Sequence, residues 1–438
     1  MTTPMHIWHP YTQEALDPPP VRVLRAQGVY LYTSDGRKLI DGISSWWVNL
    51  HGHCHPVMVA AIAEQAAKLD HVLLAGFTHE AVEELCERLR AVLPPELDHI
   101  FFSDNGSTAV EVALKAAVQY WRNIGRPEKV SIVALEHAYH GDTAGTMSVS
   151  AQSVFTGAFA SMLFPVHRVH AAYCYHCPLG LDRAHCNIDC VDKLARLLEE
   201  KHREIAAVIV EPLLQGAGGM IVHPVEFLQR VRKLCRQYDV LLIADEVLTG
   251  FGRCGSMFAC ELAGVTPDLM CLSKGLTGGF LAMGATVSTA RIHDAFVSTD
   301  RTRTFFHGHS YTGNPLAAIA GAASLKIFAT EPVFERIQRI AAVHARQLPG
   351  LRPHPAVGEV RQIGTVAVME LKAEDAGYTS KLRERLYEFF LGCGILLRPM
   401  GNLLYILPPY AIASEELEYV YSKVREALDR CVSAVNKR

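Results

Sequence analysis

Short apolar runs recur through the middle of the chain: HIFFS at 99–103, VSIVAL at 130–135, AAVIVEP at 206–212, DVLLIAD at 239–245 and LMCLS at 269–273. Runs of this length suit strands covered on both faces, whereas the stretches between them, such as 107–121 and 225–237, read as helices. Strands alternating with helices predict an α/β fold, a mostly parallel central sheet with helices packed on it. After about residue 330 the texture changes to a long helix, a strand-like GTVAVMELK at 364–372, a helix near 380–392, a strand at 403–407 and a closing helix. That order predicts a small α+β domain.

The segment GVYLYTSDGRKLIDG (28–42) has the alternation of a hairpin with its turn at Asp35-Gly36, and it is expected to complete the small domain. The organisation is therefore read as residues 1–55, an N-terminal segment serving the small domain and the active site; 56–330, a large domain; and 331–438, a C-terminal small domain. No internal repeat or low-complexity tract interrupts it.

Composition narrows the class. The chain has 438 residues, half of them hydrophobic, enough to bury a large core. Lys plus Arg number 42 against 45 for Asp plus Glu, a balance that argues against a nucleic-acid or membrane surface and for small-molecule partners. The opening MTTPMHIWHPYTQE lacks the basic and apolar regions of a secretion signal, and no apolar run reaches bilayer length, so a cytoplasmic protein is expected. Most of the twelve cysteines, Cys235, Cys260 and Cys271 among them, stand among apolar residues as reduced core residues do.

Candidate chemistry gathers at strand ends. DVLLIAD delivers Asp245 to its carboxyl end, and LMCLSKG delivers Lys274 just beyond another; open α/β sheets bind ligands outside those ends. A lysine in a partly desolvated pocket can lose its proton and attack an aldehyde cofactor. A carboxylate beside a pyridine nitrogen keeps that nitrogen protonated and the ring electron-poor. Taken singly, each residue also fits a plain structural role, a helix start or a loop cap.

In FFSDNGSTAVEVALKAAVQYW (101–121) a strand breaks at Asp104-Asn105-Gly106 and a helix begins near Ser107, a turn whose free N–H groups suit a phosphate or an ordinary cap. In EHAYHGDTAGTMSVS, Tyr139 can stack on a planar heterocycle or pack as a half-buried loop residue. The insert YCYHCPLGLDRAHCNIDC (173–190) holds Cys174, Cys177, Cys186 and Cys190 as C-x2-C and C-x3-C. No metal is expected there by default; a structural zinc on the four thiols is the alternative to reduced or paired cysteines.

With these residues assembled, the chain resembles the class III aminotransferases from near Met5 to the last helix. The resemblance is carried by LLIADEVLTGFGRCGSMFACELAGVTPDLMCLSKGLTGG (241–279). It implies a fold type I transferase dependent on pyridoxal 5'-phosphate (PLP). Lys274 would bond to the cofactor and move the substrate proton, Asp245 would pair with the pyridine nitrogen, Tyr139 would stack on the ring, and Gly106 with Ser107 would hold the phosphate. TFFHGHSYTGNPLA (304–317) is similar to the family's stretch that crosses to a neighbouring subunit, implying a homodimer with Gly308 and Ser310 at the partner's site.

HIWHPYTQ (6–13), DGISSWWVNLHGHCHP (41–56), the YHGDT segment and LLRPMGNLLYILPPY (396–410) are similar to the family branch that aminates 8-amino-7-oxononanoate (KAPA) to 7,8-diaminononanoate in biotin biosynthesis. On that resemblance Tyr11, Trp46 and Trp47 line the substrate pocket, Arg398 grips a carboxylate and Tyr405 stands near the reacting end. Aromatic walls with one fixed cation suit a long apolar keto acid. Relatives acting on ornithine or γ-aminobutyrate resemble one another in a Gln-Gly-Glu-Gly-Gly-like motif and an arginine before Pro-Pro. Here Gln215-Gly216-Ala217-Gly218-Gly219 and Tyr405 replace them, so that charge switch is absent. S-adenosylmethionine is the expected amino donor, favoured by the paired tryptophans as a platform for adenine or sulfonium; lysine is the alternative.

Overall fold

The computed structural model describes residues 6–373 and 380–432; Met5, where the family resemblance begins, lies outside them. Its central sheet has seven strands in the spatial order Leu97–Ser103, Gly284–Thr289, Leu269–Leu272, Leu241–Asp245, Ile205–Val210, Ser131–Leu135 and His167–Val169. Strand Gly284–Thr289 runs against its two neighbours, and the other six point the same way. Strands Ile205–Val210 and Leu241–Asp245 are buried along their whole length, as expected of apolar runs covered on both faces. The antiparallel strand escaped the sequence reading because GATVST carries only a weak apolar signal.

Shared direction matters for function: the carboxyl ends of five chemistry-bearing strands open on one edge. Helix Gly106–Asn123 starts there and buries Val110, Leu114, Ala117 and Trp121 against the sheet. Helix Val225–Gln237, amphipathic as its sequence predicts, covers the other face through Phe227, Leu228 and Val231.

The hairpin expected at 28–42 is formed by Tyr30–Thr33 and Lys38–Asp41, with Gly36 at φ +82° in the turn. Val23–Gln27 extends it on one side, and Ile395–Leu396 pairs in parallel on the other, joining the chain's beginning to its C-terminal part. A second sheet combines Val357–Ile363, Val366–Leu371 and Leu403–Ile406, so the single strand expected at 364–372 is the middle of three. Among the described residues no single helix is long and apolar enough to cross a membrane.

Candidate active site

Five strand ends converge on a cleft of about 660 Å³ lined by Gly106, Ser107, Tyr139, Glu211, Asp245 and Lys274, together with Trp47, Ala217 and Leu248. Lys274 follows Leu269–Leu272 with φ +42°, a left-handed conformation that a side-chain-bearing residue adopts only when its surroundings enforce it. Its Nζ stands 4.8 Å over the ring of Trp47. Burial holds the amine below its ordinary pKa, against the opposing charges of Asp245 and Glu211. This lysine is therefore poised to give up its proton.

Asp245 ends its strand with a carboxylate that accepts the Val247 N–H at 3.0 Å through Oδ1. Its Oδ2 lies 2.7 Å from Nδ1 of the fully buried His140. Tyr139, beside that histidine, is half-buried, and its hydroxyl donates to Asp142 at 2.9 Å. Burial, Tyr11 and Asp142 together drive the Tyr139 phenol well above its usual range, so it stays protonated.

At the start of helix Gly106–Asn123, Asn105 and Thr108 cap each other reciprocally at 2.9 and 3.1 Å. The cap leaves the first N–H groups, those of Gly106 and Ser107, without intrahelical partners and directed at the cleft. Neither glycine nearby can be replaced cheaply. A Cβ on Gly106 would meet Val247 Cγ1 at 2.7 Å, and one on Gly141 would meet Ser107 Oγ at 2.0 Å.

The aromatic wall rests on an unusual backbone. Ser44, Ser45, Trp46 and Trp47 have φ of +52°, +45°, +71° and +75°, one turn of left-handed helix costing roughly 1–2 kcal/mol per residue. Asp41 holds it by accepting from the N–H groups of Ile43 (3.2 Å) and Ser45 (2.9 Å) and from Ser45 Oγ (2.7 Å). Ser44 Oγ donates to Leu407 O at 2.8 Å. The turn sends the two indoles apart: Trp47 is buried beside Lys274, while Trp46 is exposed and lies 5.4 Å edge-on from Tyr11. Arg398 stands over Trp46 at 4.9 Å, and the Tyr11 hydroxyl donates to Asp142, closing a chain of contacts back to Tyr139.

Other sequence-predicted residues lie elsewhere. Tyr405 is buried, and its hydroxyl accepts from the Trp47 indole at 3.2 Å. Gly308 and Ser310 do not line their own chain's cleft. Their segment is anchored by His79 to Gly313 O at 2.8 Å, and Ser310 is exposed.

Cys174, Cys177, Cys186 and Cys190 are free thiols around one cavity of about 20 Å³. Burial and the neighbouring thiols push Cys190 up to about 11, and the Cys174 and Cys186 thiols face the carbonyls of Ala172 (4.0 Å) and Arg183 (3.8 Å). Among the described residues no three His, Cys, Asp or Glu side chains are gathered to hold a metal ion.

Sequence reading assigned no role to His140, Asp142 or Glu211. Glu211 follows Ile205–Val210 as Asp245 follows its own strand, and the same strand-end logic could have found it. His140 and Asp142 sit beside Tyr139, but only the fold aims one at Asp245 and the other at Tyr11.

The match to known proteins spans almost the whole chain. The family model for aminotransferase class-III fits residues 11–428. Adenosylmethionine-8-amino-7-oxononanoate aminotransferases from Synechococcus elongatus and Geobacter sulfurreducens are 45% and 41% identical, each across 97% of this chain and 98% and 95% of their own. The crystal structure of the similarly named enzyme of Methanocaldococcus jannaschii superposes with a TM-score of 0.91 at 35% identity, covering 97% of both chains. An amine transaminase from an uncultivated Pseudomonas species, solved in its PLP-bound form, gives 0.93 at 32% identity, covering 98% of this chain and all of its own. Strand-end lysine and aspartate, capped helix start and full-length similarity agree, and the chain belongs to the class III aminotransferases.

Proposed function

We propose that this protein transfers an amino group from S-adenosylmethionine to KAPA, giving 7,8-diaminononanoate for biotin synthesis, as a cytoplasmic, PLP-dependent homodimer. The observation that carries the reading is the cleft itself: a lysine with a depressed pKa and a buried strand-end carboxylate face each other across a space lined by Tyr139 and a free helix start. The names of the relatives at 41% and 45% identity supply the substrate class.

The cradle suits PLP. Gly106 and Ser107 offer N–H groups and a hydroxyl to a phosphate, in a turn where any added Cβ would collide. Asp245, oriented by His140 and the Val247 N–H, presents its carboxylate where a pyridinium would lie. When bound, PLP supplies an aldehyde and an electron-withdrawing ring, the chemistry that no side chain provides.

The chain's own residues do the rest. Lys274 Nζ, its charged form disfavoured by desolvation, takes the proton from the amine-bearing carbon of the donor and returns a proton when the acceptor is aminated. Trp47 excludes water beside that nitrogen. Tyr139, kept protonated, covers the ring site and holds Asp142. Arg398 offers a guanidinium to the acceptor's distant carboxylate while Trp46 and Tyr11 flank its apolar chain. Ser310, exposed on its segment, serves the partner subunit's phosphate site in the homodimer.

Mixing the holoenzyme with S-adenosylmethionine, with lysine in parallel, tests the reading. S-adenosylmethionine should convert the cofactor absorbance to that of the pyridoxamine form, and KAPA should restore it. No change with either amine, or no restoration by KAPA, would overturn it.

A further inference from the structure

The turn that replaces the charge-switch motif has almost no side chains with which to hold itself. Residues 216–219 read Gly-Ala-Gly-Gly, between the short strands Leu214–Gln215 and Ile221–Val222, yet Ala217 lines the cleft together with Tyr139. Gly218 touches the strap leading to Tyr139 so closely that a Cβ there would fall 1.6 Å from the carbonyl oxygen of His137. Gly219 has φ +136° and Met220 +49°. The N–H groups of Gly219 and Met220 close the turn on Gly216 O at 3.1 and 2.8 Å, and what ties that turn to the rest of the molecule comes from outside it.

Two buried side chains do so, from opposite ends. Glu211 accepts the Gly216 N–H at 2.8 Å with one oxygen and the Tyr139 N–H at 3.0 Å with the other, tying the start of the turn to the aromatic cover. At the far end, Arg361 reaches in from strand Val357–Ile363 of the C-terminal sheet. Its Nη2 donates to Gly219 O at 2.7 Å and its Nε to Met220 O at 2.8 Å. Its side chain is 8% exposed, and Nη1 is held by Glu359 and, at 2.8 Å, by Glu370. Glu370 in turn accepts from Tyr173 at 2.6 Å and lies 2.6 Å from His176, so the cysteine-bearing insert braces the same guanidinium.

We infer that Arg361 is a positioning residue for the acceptor substrate: by clamping the carbonyls of Gly219 and Met220 it fixes where Ala217 stands in the cleft lining beside the Tyr139 strap, and so the space left for the substrate. Charge-assisted donors to two adjacent carbonyls give both strength and direction, which a Gly-rich turn cannot supply from its own residues. The inference rests on the function proposed above, because it takes the long keto acid as the molecule passing that wall.

The test uses the holoenzyme and the variants Arg361→Gln and Arg361→Lys. In Arg361→Gln, KM for KAPA should rise roughly ten-fold with kcat within about three-fold, the size expected when a wall shifts without disturbing the reacting groups. Amides of residues 216–220 should exchange hydrogen for deuterium faster than in the parent, while peptides around Tyr139 and Lys274 keep their protection and the cofactor absorbance is unchanged. Arg361→Lys, which keeps the charge and one donor, should recover most of the KM. If Arg361→Gln does not fold, Glu370→Gln, which loosens the guanidinium without removing it, should show the same KM and exchange changes at smaller size. A variant that only melts earlier, with KM and exchange unmoved, overturns the inference, as does a fall in kcat with an altered cofactor spectrum. Should the parent enzyme prove not to accept KAPA, the exchange at 216–220 still decides the clamp, so the two failures are told apart.

Discussion

On one side of the cleft, Asp245, Lys274, Gly106 and Tyr139 each sit within a few residues of a strand in one sheet, and the sheet's regular spacing brings them together. A second group, Tyr11, Trp46, Trp47, Arg398 and Tyr405, comes from the two ends of the chain and meets through side chains: edge-on ring pairs, a guanidinium over an indole, a hydrogen bond. The first side is held by many backbone bonds, the second by a few side chains. Chemistry should therefore fail when the first is altered, and selectivity when the second is.

The largest effect is expected on the strand-end side. Lys274→Ala should lower kcat by about 10⁴-fold or more while PLP stays bound non-covalently, since the phosphate and ring contacts remain. Stopped-flow turnover and the retained cofactor absorbance check both halves; undiminished turnover would remove the lysine from its role. Asp245→Asn should cost roughly 10²–10³-fold in kcat through lost electrostatic stabilisation, with KM little changed.

On the aromatic side, Arg398→Ala should raise KM for KAPA by about 10–100-fold with a much smaller change in kcat, the loss of one charge-assisted contact to a carboxylate. Equal damage to kcat would show that the two sides are not separable. Tyr405→Phe should be milder: the Trp47 indole loses its buried acceptor, costing about 1–2 kcal/mol of stability by denaturant titration and a few-fold in rate.

The smallest effect lies away from the cleft. His344 is fully buried between Tyr421 (2.7 Å) and Thr365 O (3.1 Å), and burial depresses its pKa to about 4 from an ordinary 6.5. Between those values the unfolded chain binds the extra proton, so stability falls as pH drops from about 6.5 towards 4. His51 and His223, lowered by burial to about 3, act in the same direction. His344→Gln should flatten that decline by about 1 kcal/mol between pH 6 and 5, read from melting curves across pH.

The same contrast explains what could be read without coordinates. Apolar runs marked the strands at 205–210 and 241–245 because burial on both faces leaves a local signature, and residues directly after them could be named with confidence in their direction. Strand Gly284–Thr289, with its small and polar residues, left no such mark. Tyr405 is expected near the reacting end, and the fold adds a contact that a position before Pro-Pro does not announce, the hydrogen bond from the Trp47 indole. Arg361 went unassigned for a related reason: it binds backbone carbonyls, and no pattern of side chains announces a backbone partner.

The left-handed turn at Ser44–Trp47 also bears on how this enzyme could be redesigned. Placing glycine at Ser45 would relieve part of a conformational tension of the order of 1–2 kcal/mol, but losing the hydroxyl bond to Asp41 would cost about as much, so melting should change little. Asp41 would keep the N–H groups of Ile43 and Ser45 and lose only the hydroxyl, its guy-rope on the turn that carries the two indoles. Strain and restraint thus offset each other at one small residue, and a laboratory selection for heat tolerance alone would have little reason to change it.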